Sequence, residues 1–153
     1  MKFKPPSPEA APWQPEATPT FWINHTSRVV MKHFEQRLRP LDFGMAYMPV
    51  AIALEENSPL PQKQLAELAQ VEQPTMAALL MRMERDGLIV RKANSADRRS
   101  TLFALTDKAR DRLPAAKQQL AAVVAQAMNG IPDADQARLM ALLATVVGNL
   151  EKE

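Results

Sequence analysis

The sequence contains no cysteine and only 4 glycines among its 153 residues. The lack of cysteine excludes disulfide bonds, zinc sites with cysteine ligands and redox sensing by thiols. The abundant residues are instead Ala, Leu, Met, Gln, Glu, Lys and Arg, which favour helix over most of the chain after residue 20. The length suits one domain with a hydrophobic core.

Features typical of membrane proteins and enzymes are also missing. No run of 18 apolar residues exists, so we predict that the chain does not span a membrane. The first residues lack the apolar stretch of a signal peptide, and we therefore expect a cytoplasmic protein. No nucleophile–base set, phosphate loop or catalytic pair of carboxylates is visible. The sequence thus predicts a protein that is not an enzyme and has neither a cofactor nor a metal site.

Positive charge is concentrated in one part of the chain. The net charge is only +2, but nine basic and five acidic residues lie between Arg82 and Arg112. Such a local basic surface on a nearly neutral protein favours contact with phosphates at one face. A solvated surface without a partner explains the same charges equally well.

Proline and apolar periodicity divide the chain into an arm and a domain. Residues 1–19 hold six of the 13 prolines, which predicts a mobile N-terminal arm. Residues 20–153 read as a single domain, with Thr20 and Thr106 as expected helix caps. The predicted helices are 20–38, 46–55, 62–70, 74–86, 107–128 and one after Pro132, and the predicted strands are 88–92 and 101–105.

The last helix carries a long apolar stripe. Its members recur at helical spacing and are Leu139, Leu142, Leu143, Val146, Val147 and Leu150. Together with the first helix, this stripe exceeds what the rest of a small domain can cover. We therefore expect the terminal helices to join two copies into a homodimer. The alternative is that they fold back on their own chain.

Two helices joined by a short turn place the second one, residues 74–86, where it can enter a DNA major groove. Gln73 can contact adenine through two hydrogen bonds, and Arg82 can reach a phosphate. The alternative is an ordinary amphipathic core helix. The candidate DNA-binding residues of this helix are Gln73, Pro74, Thr75, Ala77, Ala78 and Arg82.

The loop between the two predicted strands, residues 93–100, is polar and rich in arginine. Its candidate DNA-binding residues are Asp97, Arg98, Arg99 and Ser100. A guanidinium gains from the negative potential of a narrow minor groove, and a neighbouring carboxylate can hold it in place. The alternative is a surface ion pair without function.

The stretches LAELAQVEQPTMAALLMRMERDGLIVR and SADRRSTLFALTDKAR resemble the MarR family of bacterial transcription regulators, and within it the SlyA-like members. The resemblance covers all but the arm. It implies a mainly α fold with a small antiparallel β-hairpin. A winged helix-turn-helix DNA reader at 45–106 would lie between dimerisation helices at 20–44 and 107–153. The match to the family's Asp-x-Arg pair puts Arg99 in the minor groove, with Asp97 orienting it.

The resemblance also implies a homodimer that binds pseudo-palindromic operators and is released by a small aromatic or phenolic ligand. Candidate pocket residues are Trp22, Met45, Tyr47 and Met48, with core packing as the alternative for each. Two positions depart from the family pattern. Pro61 replaces a usual Ser or Thr helix cap, and Ala78 replaces a usual polar or basic residue.

The sequence therefore predicts a homodimeric repressor whose partner is double-stranded DNA. It does not specify the operator, the regulated genes, the effector, or repression as against activation. Two other readings stay open at this point. One is an architectural DNA binder with little sequence preference, and the other is a winged-helix module for protein contacts.

Overall fold

The computed structural model describes residues 14–152. Of the arm predicted at 1–19, residues 1–13 lie outside this range. Residues Pro15–Ala17 form a 3₁₀ turn, and helix α1 already begins at Pro19. The Thr18 hydroxyl accepts a hydrogen bond from the Phe21 backbone N–H at 3.4 Å. The predicted cap Thr20 is therefore wrong, because Pro19 lacks an N–H and fits the first helical position directly after Thr18.

Within residues 14–152, six α-helices and three short strands follow one another. After α1 (Pro19–Leu38), 3₁₀ turns at Arg39–Leu41 and Met45–Tyr47 reverse the chain, and Pro49 lies in the first turn of the next helix. The remaining elements are α2 (Met48–Glu56), β1 (Leu60–Pro61), α3 (Gln62–Ala69), α4 (Gln73–Arg85), β2 (Ile89–Ala93), β3 (Thr101–Leu105), α5 (Asp107–Ala127) and α6 (Asp133–Leu150).

The strands form one antiparallel sheet in the order β1-β3-β2. The predicted hairpin of β2 and β3 is confirmed, with Ile89 opposite Leu105 and Ala93 opposite Thr101. The third strand, β1, places Leu60 opposite Phe103 and was not predicted. A strand of two residues is too short to show the alternation of apolar and polar residues by which strands are predicted, and its proline is more typical of a turn. Pro61 is tolerated because β1 is an edge strand.

The core lies between the sheet and helices α2–α5. Helical spacing predicts that one side of α4 is packed, and its members are buried: Met76, Leu79, Leu80 and Met83. The same spacing predicts that Leu68 of α3 faces inward, but Leu68 is 61% exposed. At about 100° per residue, Leu68 lies roughly 100° from the centre of the buried arc of α3. That short arc is filled by Leu65, Ala66 and Ala69.

Helices α5 and α6 extend beyond this core. The Thr106 hydroxyl caps α5 by accepting the Ala109 N–H at 3.1 Å, which confirms the prediction, and α5 packs along α1. Helix α6 buries none of its side chains, and Leu142 and Leu150 are 56% and 79% exposed. Across residues 14–152, the helices lack the combination of length and apolar character needed to cross a bilayer.

Candidate nucleic-acid interface

Helix α4 presents the surface that the sequence assigned to DNA. Opposite its buried side, Thr75, Ala78 and Arg82 are exposed, whereas Ala77 is half-buried. The helix begins at Gln73, one residue earlier than predicted, so Pro74 occupies the second position. The structure thus leaves the first turn of α4 open to a partner.

Both ends of α4 are held by hydrogen bonds. At its start, the Gln62 side-chain amide of α3 donates to the Gln73 carbonyl at 3.3 Å. At its end, Gly87 adopts a φ of +73°, a conformation that favours glycine, and the Leu88 N–H donates to the Met83 carbonyl at 2.9 Å. The turn from α3 into α4 and the turn from α4 into β2 are therefore both defined.

Asp86, which follows α4 directly, is the centre of a polar cluster. The Tyr47 hydroxyl donates to its carboxylate at 2.7 Å, and the Lys108 ammonium donates to its backbone carbonyl at 2.7 Å. The hydrogen bond from Tyr47, followed by that from Arg85, lowers the pKa of Asp86 below its usual range. Lys108 also pairs with Asp42 at 2.9 Å. The end of α4 is thereby tied to the α1–α2 connection and to the start of α5.

The loop between β2 and β3, the wing, is shaped by Asp97 through the backbone. The Asp97 carboxylate accepts the Arg99 N–H at 2.9 Å, and its carbonyl accepts the Ser100 N–H at 3.1 Å. In the described part of the chain, no ion pair joins Asp97 to a guanidinium. The expected orienting contact therefore takes another form: the short Asp side chain closes on a nearby amide two residues ahead. Arg98 and Arg99 are exposed at the tip.

A cleft of about 310 Å³ lies at the base of the wing, and we call it the wing-base cleft. It is lined by Lys63 of α3, Gln73 of α4, Arg91 of β2 and Arg99 of the wing, and none of the described lining residues is acidic. The cleft shows that the start of α4 and the wing belong to one surface. Sequence reasoning missed Lys63 and Arg91. The hairpin register could have indicated Arg91, but only the fold brings Lys63 beside it.

A second cavity, of about 360 Å³, lies where the α1–α2 connection meets α4, and we call it the interhelical cavity. Its lining includes Arg39, Asp42, Phe43, Tyr47, Arg82 and Asp86. Arg82, predicted as a phosphate contact, therefore also reaches this cavity. Arg39 and Phe43 were not predicted, because only the chain reversal after α1 turns them towards α4.

The four predicted pocket residues are not brought together. Tyr47 alone among them lines the interhelical cavity. Met48 is 3% exposed in the core, and Met45 packs against the core. Trp22 lies in the first turn of α1, where its indole N–H donates to the Glu16 carbonyl at 2.9 Å. Met45 and Met48 therefore contribute to core packing rather than to a cavity shared with Tyr47 and Trp22.

Known proteins share this arrangement. The sequence model of a protein family described as "MarR family" matches residues 52–101, which run from α2 to the start of β3. Over these residues the chain is similar to the MarR family. It is also similar to the organic hydroperoxide resistance transcriptional regulator of Bacillus subtilis, with 31% identity over 87 residues. The alignment covers 57% of this chain and 59% of that protein, so it spans less than two thirds of the relative.

Solved structures extend the likeness to the whole MarR fold. The transcriptional repressor CouR, bound to a 23-mer DNA duplex, is 26% identical with a TM-score of 0.74, covering 85% of this chain and 92% of CouR. A probable transcriptional regulator from Pseudomonas aeruginosa is 22% identical with a TM-score of 0.75, covering 87% and 99%. The mainly α, winged helix-turn-helix fold is therefore confirmed. The narrower SlyA-like assignment stays a prediction.

Proposed function

We propose that this protein is a sequence-specific regulator of transcription of the MarR family that binds double-stranded DNA as a homodimer and acts as a repressor. One observation carries the proposal: Gln73 at the start of α4 and Arg99 of the wing line the same cleft. A helix sized for the major groove and a loop rich in arginine thus form one continuous surface. Because its target would be bacterial chromosomal DNA, the protein would act in the cytoplasm.

The homodimer is supported by the uncovered apolar side of α6. Leu139, Leu142 and Val147 are 42%, 56% and 51% exposed, and Val29 of α1 is 43% exposed. Burying apolar surface is favourable by about 25 cal/mol per Å². A second copy presents the same apolar stripe, and two-fold symmetry lets the two stripes cover each other. Such a dimer would present two readers to two half-sites about 10–10.5 base pairs apart.

Each reader would use its helix and its wing for different contacts. Gln73 can pair with an adenine edge, and Ala77 and Ala78 are small enough to admit thymine methyls. Arg82 can contact a phosphate, and Arg99 can enter the adjacent minor groove. Asp97 supports this role by fixing the backbone N–H of Arg99 rather than its guanidinium.

Release by a small aromatic or phenolic ligand would use the interhelical cavity. Phe43 and Tyr47 supply rings. Neither the Arg39 nor the Arg82 guanidinium forms an ion pair within residues 14–152, so either can receive an anionic group. The ligand would act only by favouring a spacing of the readers that does not match the operator. Typical coupling of about 1–3 kcal/mol would weaken DNA binding by roughly 5–150-fold.

The proposal is tested by selecting bound sequences from random duplex DNA with the purified protein, followed by salt titration of the selected duplexes. We expect enrichment of a near-palindrome bound by a dimer. Steep salt dependence without enrichment would instead indicate an architectural DNA binder. Absence of binding would overturn the proposal and direct attention to protein partners.

A further inference from the structure

The wing-base cleft is lined by three basic side chains, and Glu84, which pairs with Arg91, lies outside its lining. Lys63, Arg91 and Arg99 reach it from three different elements: α3, β2 and the wing loop. Like charges held near one another repel, and a bound anion converts that repulsion into attraction. The cleft therefore has the chemistry of an anion site, and its volume of about 310 Å³ is sufficient for a phosphate group.

Arg91 is held in a fixed position inside this cleft. It lies opposite Phe103 in the hairpin, with its guanidinium carbon 5.5 Å from the centre of the Phe103 ring. Its Nε–H donates to the Glu84 carboxylate of α4 at 2.7 Å. One of the five guanidinium N–H groups is thereby used, and those on the two terminal nitrogens remain for a ligand. Lys63 adds an exposed ammonium from the first turn of α3.

The position of the cleft identifies the source of the anion. A sugar–phosphate strand separates each major groove from the neighbouring minor groove. If α4 enters one groove and the wing enters the other, that strand must pass between Gln73 and Arg99. Gln73 and Arg99 both line the wing-base cleft, together with Lys63 and Arg91.

We infer that the wing-base cleft binds one phosphate of the DNA backbone in each half-site, with Lys63 and Arg91 as its ligands. This inference rests on the proposed function and adds two DNA-contacting residues to it. The contact is independent of sequence, because every nucleotide carries the same phosphate. It sets where the helix and wing sit along the duplex. A free phosphate or pyrophosphate has the same chemistry and is the competing source.

The first test compares the parent with Lys63→Gln on its selected operator. Lys63 is exposed, so its replacement leaves the core intact. Losing one phosphate contact per half-site makes the plot of log K against log salt less steep, by about 0.9 for each half-site. The loss in affinity is the same for every sequence tested. Lys152→Gln, which removes an equal charge from the exposed C-terminal end, leaves the slope unchanged.

The second test locates the phosphate. Duplexes carry one neutral methylphosphonate at a time, stepped along each strand of a half-site. The parent loses affinity at a position between the groove contacted by α4 and that contacted by the wing. Lys63→Gln is expected to be insensitive to substitution at that position while retaining sensitivity elsewhere. If the variant keeps both the parent's salt slope and its sensitivity at every position, the inference is overturned.

A third measurement separates failure of this inference from failure of the proposed function. Calorimetric titration with sodium pyrophosphate, at constant ionic strength, reports the cleft without DNA. A parent that binds no duplex but binds pyrophosphate, with the binding lost in Lys63→Gln, overturns the proposed function and assigns the cleft to a free anion. A parent that binds its operator but shows no effect of Lys63→Gln preserves the function and removes the phosphate site.

Discussion

Tyr47 and Asp86 are 39 positions apart in the sequence, yet the Tyr47 hydroxyl donates a 2.7 Å hydrogen bond to the Asp86 carboxylate. Tyr47 ends the 3₁₀ turn before α2, and Asp86 follows the last residue of α4. Both residues line the interhelical cavity. This bond therefore connects the proposed ligand site to the end of the helix that would read DNA.

Replacing Tyr47 with Phe should remove that bond and keep the ring. Asp86 is partly exposed and still pairs with Arg85 at 3.1 Å, so the expected loss is modest. We expect the free energy of unfolding to fall by about 1 kcal/mol, the usual size for one hydrogen bond. Urea denaturation measures it. An unchanged midpoint with an unchanged slope would show that the bond contributes nothing to stability.

Acid should destabilise the fold through the same carboxylates. The Tyr47 hydrogen bond lowers the pKa of Asp86, and hydrogen bonds from Lys108 and Arg112 lower the pKa of Asp42, both from the usual 3.8. A carboxyl group with a lowered pKa stabilises the folded state above pH 3.8, and this contribution is lost as the pH falls through the folded value.

Urea midpoints measured from pH 6 downwards should therefore decline most steeply below about pH 4. The Tyr47→Phe variant should decline less, since its Asp86 has a pKa nearer to 3.8. Equal declines in the two proteins would show that Asp86 does not contribute to the acid sensitivity.

Truncating Arg99 tests the wing assignment. Arg99→Ala should weaken operator binding by at least about tenfold, because a guanidinium in a narrow minor groove is lost. Fluorescence anisotropy with a labelled operator measures the affinity. The neighbouring Arg98→Ala variant is the matched control for charge and should lose less. If Arg99→Ala binds the operator as tightly as the parent, Arg99 does not contact the minor groove.

Charge on the apolar side of α6 tests the dimer. Leu143→Glu places a carboxylate within the stripe and should yield monomers in sedimentation velocity, because burying an unpaired charge is costly. Ala141→Glu adds the same charge about 200° around the helix and should remain dimeric. Helical circular dichroism of both variants shows whether each is folded. If both variants remain dimeric, the dimer interface does not include the apolar side of α6.

The long periodic elements could be predicted from the sequence, because their signals are local. The buried side of α4 follows from helical spacing, and the Thr106 cap and the Gly87 stop follow from backbone chemistry that extends over a few residues. The exposed stripe of α6 is equally visible in sequence.

The elements that sequence reasoning missed depend on distant partners. Strand β1 exists only because Leu60 pairs with Phe103, 43 positions later. The wing-base cleft needs Lys63 and Arg91 to meet, and the interhelical cavity needs the reversal after α1. Leu68 was misplaced because the eight residues of α3 are too few for the spacing of its apolar residues to define which arc is covered.

The two-residue strand β1 has a mechanical consequence. It joins directly to α3 and is hydrogen-bonded to β3, and Gln62 in turn holds the start of α4. Strand β1 thus links the wing and both helices of the reader into one rigid unit, in which Gln73 and Arg99 are held at a set separation. That separation matches only a limited range of groove widths in the duplex that it contacts. A duplex whose groove widths differ from that range would have to bend or narrow to fit, and stiffer sequences would be rejected without any base being touched.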